Sequence, residues 1–194
     1  KILDQLREII KPGISTQEIN DYCKNKAEQN NAVCAPYNYG EIPGERIPFP
    51  KHICTSKNEI VCHGIPRDKI LDEGDIINVD VTAFKEGWHG DTSRMFYVGE
   101  VSPKAKKLVQ TTYKSMMKGI SVLKNEIKLG DVGFAIQSFV EKEGFSVVRD
   151  FCGHGISTIF HEPPNILHYG RKNTGMELRP GMTFTIEPMI NAGK

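Results

Sequence analysis

Short apolar runs bounded by turn residues predict a β-hairpin near the middle of the chain. The first strand is predicted over 75–84 and the second over 92–98, with a turn at 85–87. The apolar positions of the first strand are Ile76, Ile77, Val79 and Val81. These β-branched residues favour a largely buried strand, and Asp80 falls in the middle of it. We expect the two strands to be antiparallel.

Apolar residues at helical spacing, together with residues typical of helix starts, predict three helices. Ser15 and Glu18 have the spacing of a capping box, and Pro103 suits the first turn of a helix. The helices are predicted over 15–30, 103–124 and 130–143, and two further strands over 145–149 and 182–187. Because helices and strands do not alternate serially, the pattern predicts an α+β fold.

The segment 35–50 is rich in proline, glycine and aromatic residues. This composition favours an irregular loop over either regular element. Such loops often carry function, so we expect this one to lie near a binding site.

Composition narrows the class of protein. A length of 194 residues suits one domain, and the net charge of +1 lacks the excess of positive charge that nucleic-acid binding usually needs. No apolar run approaches the roughly 18 residues that span a bilayer, and the N-terminus does not resemble a signal peptide. The five cysteines are widely spaced and odd in number, which fits a reducing cytosol better than a disulfide framework or a zinc site. We expect a cytoplasmic protein without nucleic-acid or membrane partners.

An internal repeat relates two parts of the chain. In each half a Leu-x-x-Gly segment leads, six residues after its glycine (80 − 74 and 187 − 181), to an acidic residue, Asp80 or Glu187. The matching segments are Leu71-Asp72-Glu73-Gly74 with Leu178-Arg179-Pro180-Gly181, Ile10-Lys11-Pro12-Gly13 with Ile127-Lys128-Leu129-Gly130, and His63-Gly64-Ile65 with His154-Gly155-Ile156. The repeat predicts two related halves that face one site, the alternative being chance similarity of strand starts.

The two acidic residues are predicted to lie in apolar strands, where an unpaired carboxylate costs several kcal/mol to bury. Salt bridges to arginine or lysine are one explanation, and divalent cations are the other. The hairpin can bring Asp91 close to Asp80. Together with His154 and Glu187 they form a hard, mostly oxygen ligand set, which suits manganese, iron(II) or cobalt and predicts two-metal hydrolysis.

Four segments carry these acidic residues and the histidine. They are Asn78-Val79-Asp80-Val81-Thr82, Gly90-Asp91-Thr92-Ser93, Gly153-His154-Gly155-Ile156 and Phe184-Thr185-Ile186-Glu187-Pro188-Met189. In this order they resemble the metal-ligand motifs of type 1 methionine aminopeptidases, and the match spans nearly the whole chain. No long insertion of the type 2 kind lies between His154 and Glu187. The resemblance implies the pita-bread (creatinase/aminopeptidase) fold, an α+β domain with pseudo-twofold antiparallel sheets covered by helices.

The resemblance implies a role for each metal ligand. Asp80 would bind one metal ion, Asp91 would bridge both ions, and His154 and Glu187 would hold the other. Glu187 would also serve as the general base. A water that bridges the metals would be the nucleophile that attacks the scissile carbonyl.

The resemblance also implies substrate-binding and catalytic residues. His63, within Val61-Cys62-His63-Gly64-Ile65-Pro66, would contact the substrate near its amino end. His161, within Phe160-His161-Glu162-Pro163, would donate to the scissile carbonyl and stabilise the oxyanion. Cys54 and Phe160 would line an apolar pocket for the methionine side chain. His52, His89 and His168 receive no role.

Part of the family pattern is missing from the printed sequence. The family has a fifth ligand, a glutamate in a final strand, whereas this sequence stops at Lys194 and begins without methionine. We expect one catalytic domain over 1–194 that lacks its N-terminal start and that strand. We also expect two divalent ions per subunit, cobalt, manganese or iron(II), at reduced occupancy. The loop 40–48 is longer than is usual beside the methionine pocket, which predicts an altered substrate preference.

The implied function is removal of the N-terminal methionine from peptides and nascent polypeptides, by a monomer that works near the ribosome. Two alternatives stay open. An X-Pro aminopeptidase or prolidase-like enzyme shares the ligand set, and a pita-bread binding module shares the fold without catalysis. Such modules usually lose metal ligands, whereas four of the five are present here.

Overall fold

The computed structural model describes residues 1–40 and 47–193, and the chain divides into two compact units. The first is Lys1–Ser102 and the second is Pro103–Lys194. The boundary falls between the two copies of the predicted repeat. That the whole chain acts as one catalytic domain stays a prediction. Among the described residues, none of the helices has the length and apolar character required to cross a bilayer.

The first unit combines a short N-terminal helical segment, one long helix and a four-stranded antiparallel sheet. Its elements are α1 (Ile2–Gln5), a 3₁₀ turn (Leu6–Glu8), α2 (Thr16–Gln29), β1 (Val33–Cys34), β2 (Cys54–Lys57), β3 (Ile76–Lys85) and β4 (Trp88–Tyr97). β3 is central, because β1 and β2 pair with successive parts of one edge and β4 pairs along the other. The predicted α2 is confirmed, with Ser15 and Glu18 forming a reciprocal capping box.

The predicted hairpin of β3 and β4 is confirmed, but β4 begins at Trp88, earlier than the predicted start at residue 92. Glu86 and Gly87 both have positive φ, at 51° and 88°. A two-residue turn of this handedness matches the twist of the strands, so pairing begins at once with Lys85 opposite Trp88. The loop prediction holds for residues 35–40 and 47–50, while 41–46 lie outside the described residues.

The alternation of side chains along β3 decides where Asp80 points. Ile77, Val79 and Val81 join the apolar cluster that also contains Ile19 and Cys23 of α2. Asp80 therefore lies on the opposite face of the sheet, and it is only half-buried. The cost of burying its charge is smaller than the sequence suggested.

The second unit contains two long helices and several short strands. They are α3 (Pro103–Ser121), α4 (Leu129–Lys142), β5 (Ser146–Val147), β6 (Gly153–Gly155), β7 (Glu162–Ile166) and β8 (Ile190–Asn191). Both predicted helices are confirmed within a few residues at each end. The α4 face with Val132, Ile136 and Val140 forms one apolar cluster, against which Ile186 and Ile190 pack.

The predicted strand over 182–187 is wrong. Among the described residues, Phe184 forms an isolated bridge with Gly155 of β6, and the next strand along the chain, β8, begins only at Ile190. β6, which contains Gly155, is only three residues long, so the segment 182–187 can form few ladder hydrogen bonds with it. Pro188 then lacks the N–H that would continue the ladder. Glu187 is accordingly not buried in a strand, and its side chain is 37% exposed.

The predicted internal repeat is visible in the hydrogen bonds inside each unit, but these bonds make Ile14 equivalent to Ile127. The predicted match of Ile10-Lys11-Pro12-Gly13 with Ile127-Lys128-Leu129-Gly130 is therefore wrong by four residues. Leu71 N donates to Ile14 O at 2.8 Å, and Leu178 N donates to Ile127 O at 2.8 Å. α2 and α4 each have 14 residues. The strand pairs repeat as well, with Cys34 opposite Ala83 in the first unit and Val147 opposite Ile190 in the second.

The proposed echo between His63-Gly64-Ile65 and His154-Gly155-Ile156 is wrong. Lys57 pairs with Ile77, three residues before Asp80 (80 − 77), and Gly155 pairs with Phe184, three residues before Glu187 (187 − 184). His154 therefore corresponds to Ser56 on β2. His63 lies in the loop after β2, so the similarity of the two His-Gly-Ile motifs is chance, and His63 and His154 do not occupy equivalent positions.

Candidate metal centre

Two carboxylates share one face of the sheet in the first unit. Asp80 lies opposite Ser93, and Asp91 lies opposite Thr82, in the antiparallel register of β3 and β4. Asp80 and Asp91 are therefore diagonal neighbours with side chains on the same face. The turn chemistry that fixes this register also fixes the spacing of the two acidic groups.

Cys54 joins the same face, because β2 places it directly opposite Asp80. Its side chain is buried. Burial raises the pKa of the Cys54 thiol far above its usual value, and the charges of Asp80 and Asp91 raise it further. The thiol is therefore neutral, which suits the wall of an apolar pocket better than a metal ligand.

A tightly packed loop carries His63. His63 has a φ of +53°, in the left-handed region that side chains other than glycine seldom adopt. Gly64 N donates to Ser56 Oγ at 3.2 Å, and Gly64 O accepts from Thr55 N at 2.8 Å. Desolvation lowers the pKa of His63, while the nearby charge of Asp91 opposes that shift. The loop thus holds the histidine close to the acidic face.

In the second unit His154 and Glu187 face one another. His154 Nε2 lies 3.6 Å from Glu187 Oε1, and His154 Nδ1 lies 3.0 Å from Gly155 O. The carbonyl fixes the proton on Nδ1, so the lone pair of Nε2 in the neutral ring points towards the carboxylate. Two acceptors in this arrangement fit a shared divalent cation, whereas a protonated ring would form an ion pair with Glu187.

Thr185 connects these two residues, and sequence reasoning missed it. The Thr185 hydroxyl accepts from His154 N at 3.0 Å and donates to Glu187 Oε1 at 2.6 Å. Thr185 N also donates to His154 O at 2.9 Å. The Thr-x-Glu spacing was the available signal, because residues two apart on an extended chain share a face. The threonine ties the imidazole backbone to the carboxylate.

His168 also contacts this segment. It is fully buried, and its Nε2 accepts a hydrogen bond from Glu187 N at 3.1 Å. Burial lowers the pKa of His168 to about 4. The other two histidines that received no role contact aromatic rings. His52 stacks on Tyr37 at 4.5 Å between centroids, and the His89 ring is tilted against Phe84 at 4.7 Å.

Aromatic rings surround His154. The His161 ring lies 4.1 Å from the His154 ring, and Phe160 stacks on His161 at 4.0 Å between centroids. Phe160 also meets His154 edge-on at 6.1 Å. Ser157 donates to the Glu162 carboxylate, which closes the loop that presents both rings.

The eight predicted site residues thus form two groups, one within each unit. The first group is Cys54, His63, Asp80 and Asp91, and the second is His154, Phe160, His161 and Glu187. Across residues 1–40 and 47–193, no three histidine, cysteine or acidic side chains are gathered as ligands of a single ion. The four-ligand set drawn from both groups stays a prediction, and its donor types fit a hard divalent cation.

Comparison with known proteins identifies the class. The family model for metallopeptidase family M24 matches residues 1–194, and the chain belongs to this family. The predicted pita-bread fold is confirmed by the solved structures that the chain resembles.

Within the family the chain groups with the methionine aminopeptidases. It is 55% identical over 191 residues to the methionine aminopeptidase of Rickettsia prowazekii, covering 98% of this chain and 71% of that protein. It is 47% identical over 196 residues to that of Escherichia coli K12, covering 100% of this chain and 72% of that protein. The crystal structure of the Rickettsia prowazekii enzyme superposes with a TM-score of 0.95 at 54% identity, covering 100% of this chain and 75% of that one.

Proposed function

We propose that this protein is a metal-dependent methionyl aminopeptidase that releases the N-terminal methionine of peptides and new polypeptides. The observation that carries the proposal is the match to methionine aminopeptidases over nearly the whole chain. The facing pair His154 and Glu187 supports metal dependence, because a histidine nitrogen and a carboxylate oxygen at 3.6 Å suit a common cation. The acidic pair Asp80 and Asp91, whose side chains share one face of the sheet, supports a position for a second metal ion.

Four residues would hold the metal ions. Asp80 would bind one ion, Asp91 would bridge two, and His154 and Glu187 would bind the second. Manganese, cobalt and iron(II) all suit this ligand set. Divalent cations at this position would supply a water nucleophile at neutral pH and polarise the scissile carbonyl.

The protein's own groups would handle protons and charge. Glu187 would accept a proton from the attacking water as general base, held in place by Thr185. His161 would donate a hydrogen bond to the carbonyl oxygen as negative charge develops there. His63, held near Asp91 by its loop, would contact the amino end of the substrate.

Cys54 and Phe160 would select the side chain of the first residue. The buried neutral thiol and the aromatic ring both offer apolar, polarisable surface. A thioether packs well against such groups. Because the loop 40–48 was predicted to lie beside this pocket, we also propose that it alters the substrate preference.

The cellular setting follows from the proposed substrate. Newly made polypeptides carry the initiator methionine, so we propose a cytoplasmic monomer that acts near the ribosome. In the described part of the chain the cysteines form no disulfide bonds, which supports a reducing compartment.

The decisive experiment measures methionine release from Met-Ala-Ser while Mn²⁺ is titrated into protein stripped with chelator. We expect release that requires the metal, no release from Leu-Ala-Ser, and none after Glu187→Gln. Glu28→Gln is the matched control, because Glu28 is an exposed residue of α2 that forms an ion pair with Lys24. Absence of metal-dependent release would overturn the proposal in favour of a binding module. Cleavage of X-Pro peptides alone would favour a prolidase-like enzyme.

A further inference from the structure

His168 is an unusual residue for an apolar interior. It follows β7 and has no exposed surface. Ile166, two residues earlier, belongs to the apolar cluster of Leu129 and Leu178, on which Phe184 and Ile186 pack. An aliphatic side chain could fill the space beside such a cluster without desolvating two ring nitrogens, so the imidazole must provide something that packing alone does not.

The hydrogen bonds of the ring show what it provides. Nε2 accepts from the backbone N–H of Glu187 at 3.1 Å. A neutral ring that accepts at Nε2 must carry its proton on Nδ1. Within the described part of the chain Nδ1 has no hydrogen-bond partner, so the fold leaves one buried donor unsatisfied while satisfying the amide of Glu187.

The amide of Glu187 needs this acceptor because regular structure does not supply one. In the part of the chain that the structure describes, the segment around Glu187 belongs to no strand, and Pro188 follows it. On its other side the Glu187 carboxylate accepts from the Thr185 hydroxyl at 2.6 Å. Glu187 is therefore held at its backbone by one residue and at its carboxylate by another.

We propose that His168 is a positioning residue that fixes the backbone of Glu187 and so keeps its carboxylate directed at His154. The inference rests on the proposed role of Glu187 as metal ligand and general base. His168 touches neither substrate nor metal in this scheme. Its effect reaches the chemistry only through the orientation of Glu187.

The test compares two substitutions at the same position. His168→Leu removes the acceptor, whereas the Oε1 atom of His168→Gln can take the place of Nε2. Mn²⁺ affinity is measured by calorimetry, and kcat and KM are measured with Met-Ala-Ser. We expect His168→Leu to weaken Mn²⁺ binding and lower kcat by about 10- to 100-fold, the usual effect of removing a partner of a metal ligand, with little change in KM. His168→Gln should recover most of the Mn²⁺ affinity and most of kcat.

A destabilised control separates positioning from general damage. Leu178→Ala opens a cavity in the neighbouring apolar cluster without touching Glu187, so it should lower the unfolding midpoint yet keep the Mn²⁺ affinity. Equal Mn²⁺ affinity in His168→Leu and wild type, or failure of His168→Gln to restore it, would overturn the proposal.

An NMR measurement on the unmodified protein keeps the proposal testable even if His168→Leu does not fold. The amide nitrogen of Glu187 and Nε2 of His168 should show a scalar coupling transmitted through their hydrogen bond in ¹⁵N-labelled protein. Lack of that coupling would refute the contact itself. Glu187→Gln is run in parallel. If it leaves Mn²⁺ binding unchanged, the ligand assignment fails, which is distinguishable from failure at His168.

Discussion

Replacing Thr185 by valine tests how the site around Glu187 is held together. Valine has nearly the shape of threonine, so Thr185→Val removes the hydroxyl and leaves the volume unchanged. The change breaks two hydrogen bonds, from His154 N at 3.0 Å and to Glu187 Oε1 at 2.6 Å. The backbone bond from Thr185 N to His154 O stays intact. The substitution therefore isolates the hydroxyl.

The size of the effect follows from those two bonds. A hydrogen bond to a charged group contributes about 1.5–3 kcal/mol, and the lower end applies because the Glu187 side chain is 37% exposed and water can replace part of the bond. Leaving His154 N without its acceptor adds about 1 kcal/mol. The sum of about 2–3 kcal/mol corresponds to roughly a 30- to 150-fold loss of Mn²⁺ affinity if the carboxylate must be reordered on binding.

Calorimetric titration of Mn²⁺ and steady-state kinetics with Met-Ala-Ser would measure this effect. Thr185→Ser keeps the hydroxyl and serves as the matched control. Affinities that are the same for the valine and serine variants would refute the reasoning, because the hydroxyl would then contribute nothing to the geometry of Glu187.

Three further predictions concern stability. A Cβ at position 64 would lie 2.1 Å from Thr55 O, so Gly64→Ala should lower the free energy of urea unfolding by about 1–3 kcal/mol. It should also raise KM, because it displaces the loop that carries His63. Gly193→Ala is the control and should be neutral, because a Cβ there meets nothing within 4 Å. Lys57→Met should cost about 3–5 kcal/mol, because it leaves Asp75 buried without the ammonium group that lies 2.5 Å away; an unchanged urea midpoint would contradict this. Burial pushes the pKa of Asp75 upward, but hydrogen bonds from Lys57, the Asp72 backbone and Asn58 outweigh burial and hold the pKa below its usual value. The stability that ionised Asp75 contributes should therefore be present above about pH 4 and be lost as pH falls through the lowered pKa. The difference in unfolding free energy between wild type and Asp75→Asn should show this pH dependence, shrinking as pH falls, because the asparagine variant cannot titrate at this position; a difference that stays constant between pH 7 and pH 2 would contradict the reasoning.

The elements that local chemistry specifies were predictable from sequence. The capping box of Ser15 and Glu18 and the tight turn at Glu86 define their helix and hairpin through contacts between residues close in the chain. The strand predicted over 182–187 failed for the opposite reason. Its apolar composition fits a strand, but a ladder also needs a partner, and β6 offers only three residues.

The candidate site divides in the same way. Asp80 and Asp91 could be placed on one face because the turn fixes the register between their strands. His168 could not be assigned, because its contact with Glu187 joins a side chain to a backbone group 19 residues away. Thr185 was missed although its spacing of two residues from Glu187 offered a signal. The mistaken match of His63 with His154 shows that two similar sequence motifs need not occupy equivalent positions in two β-ladders.

The correspondence between Ser56 and His154 shows how one backbone pattern can serve two different purposes. In the first unit the Ser56 hydroxyl accepts from Gly64 N and anchors a loop. In the second unit the same ladder position presents an imidazole to a carboxylate. Because the surrounding main-chain bonds are alike, exchanging the residue type at this position alters chemistry without demanding a new framework. In this duplicated fold the main-chain hydrogen bonds stabilise both units, while the side chain at one equivalent position determines what each unit can bind.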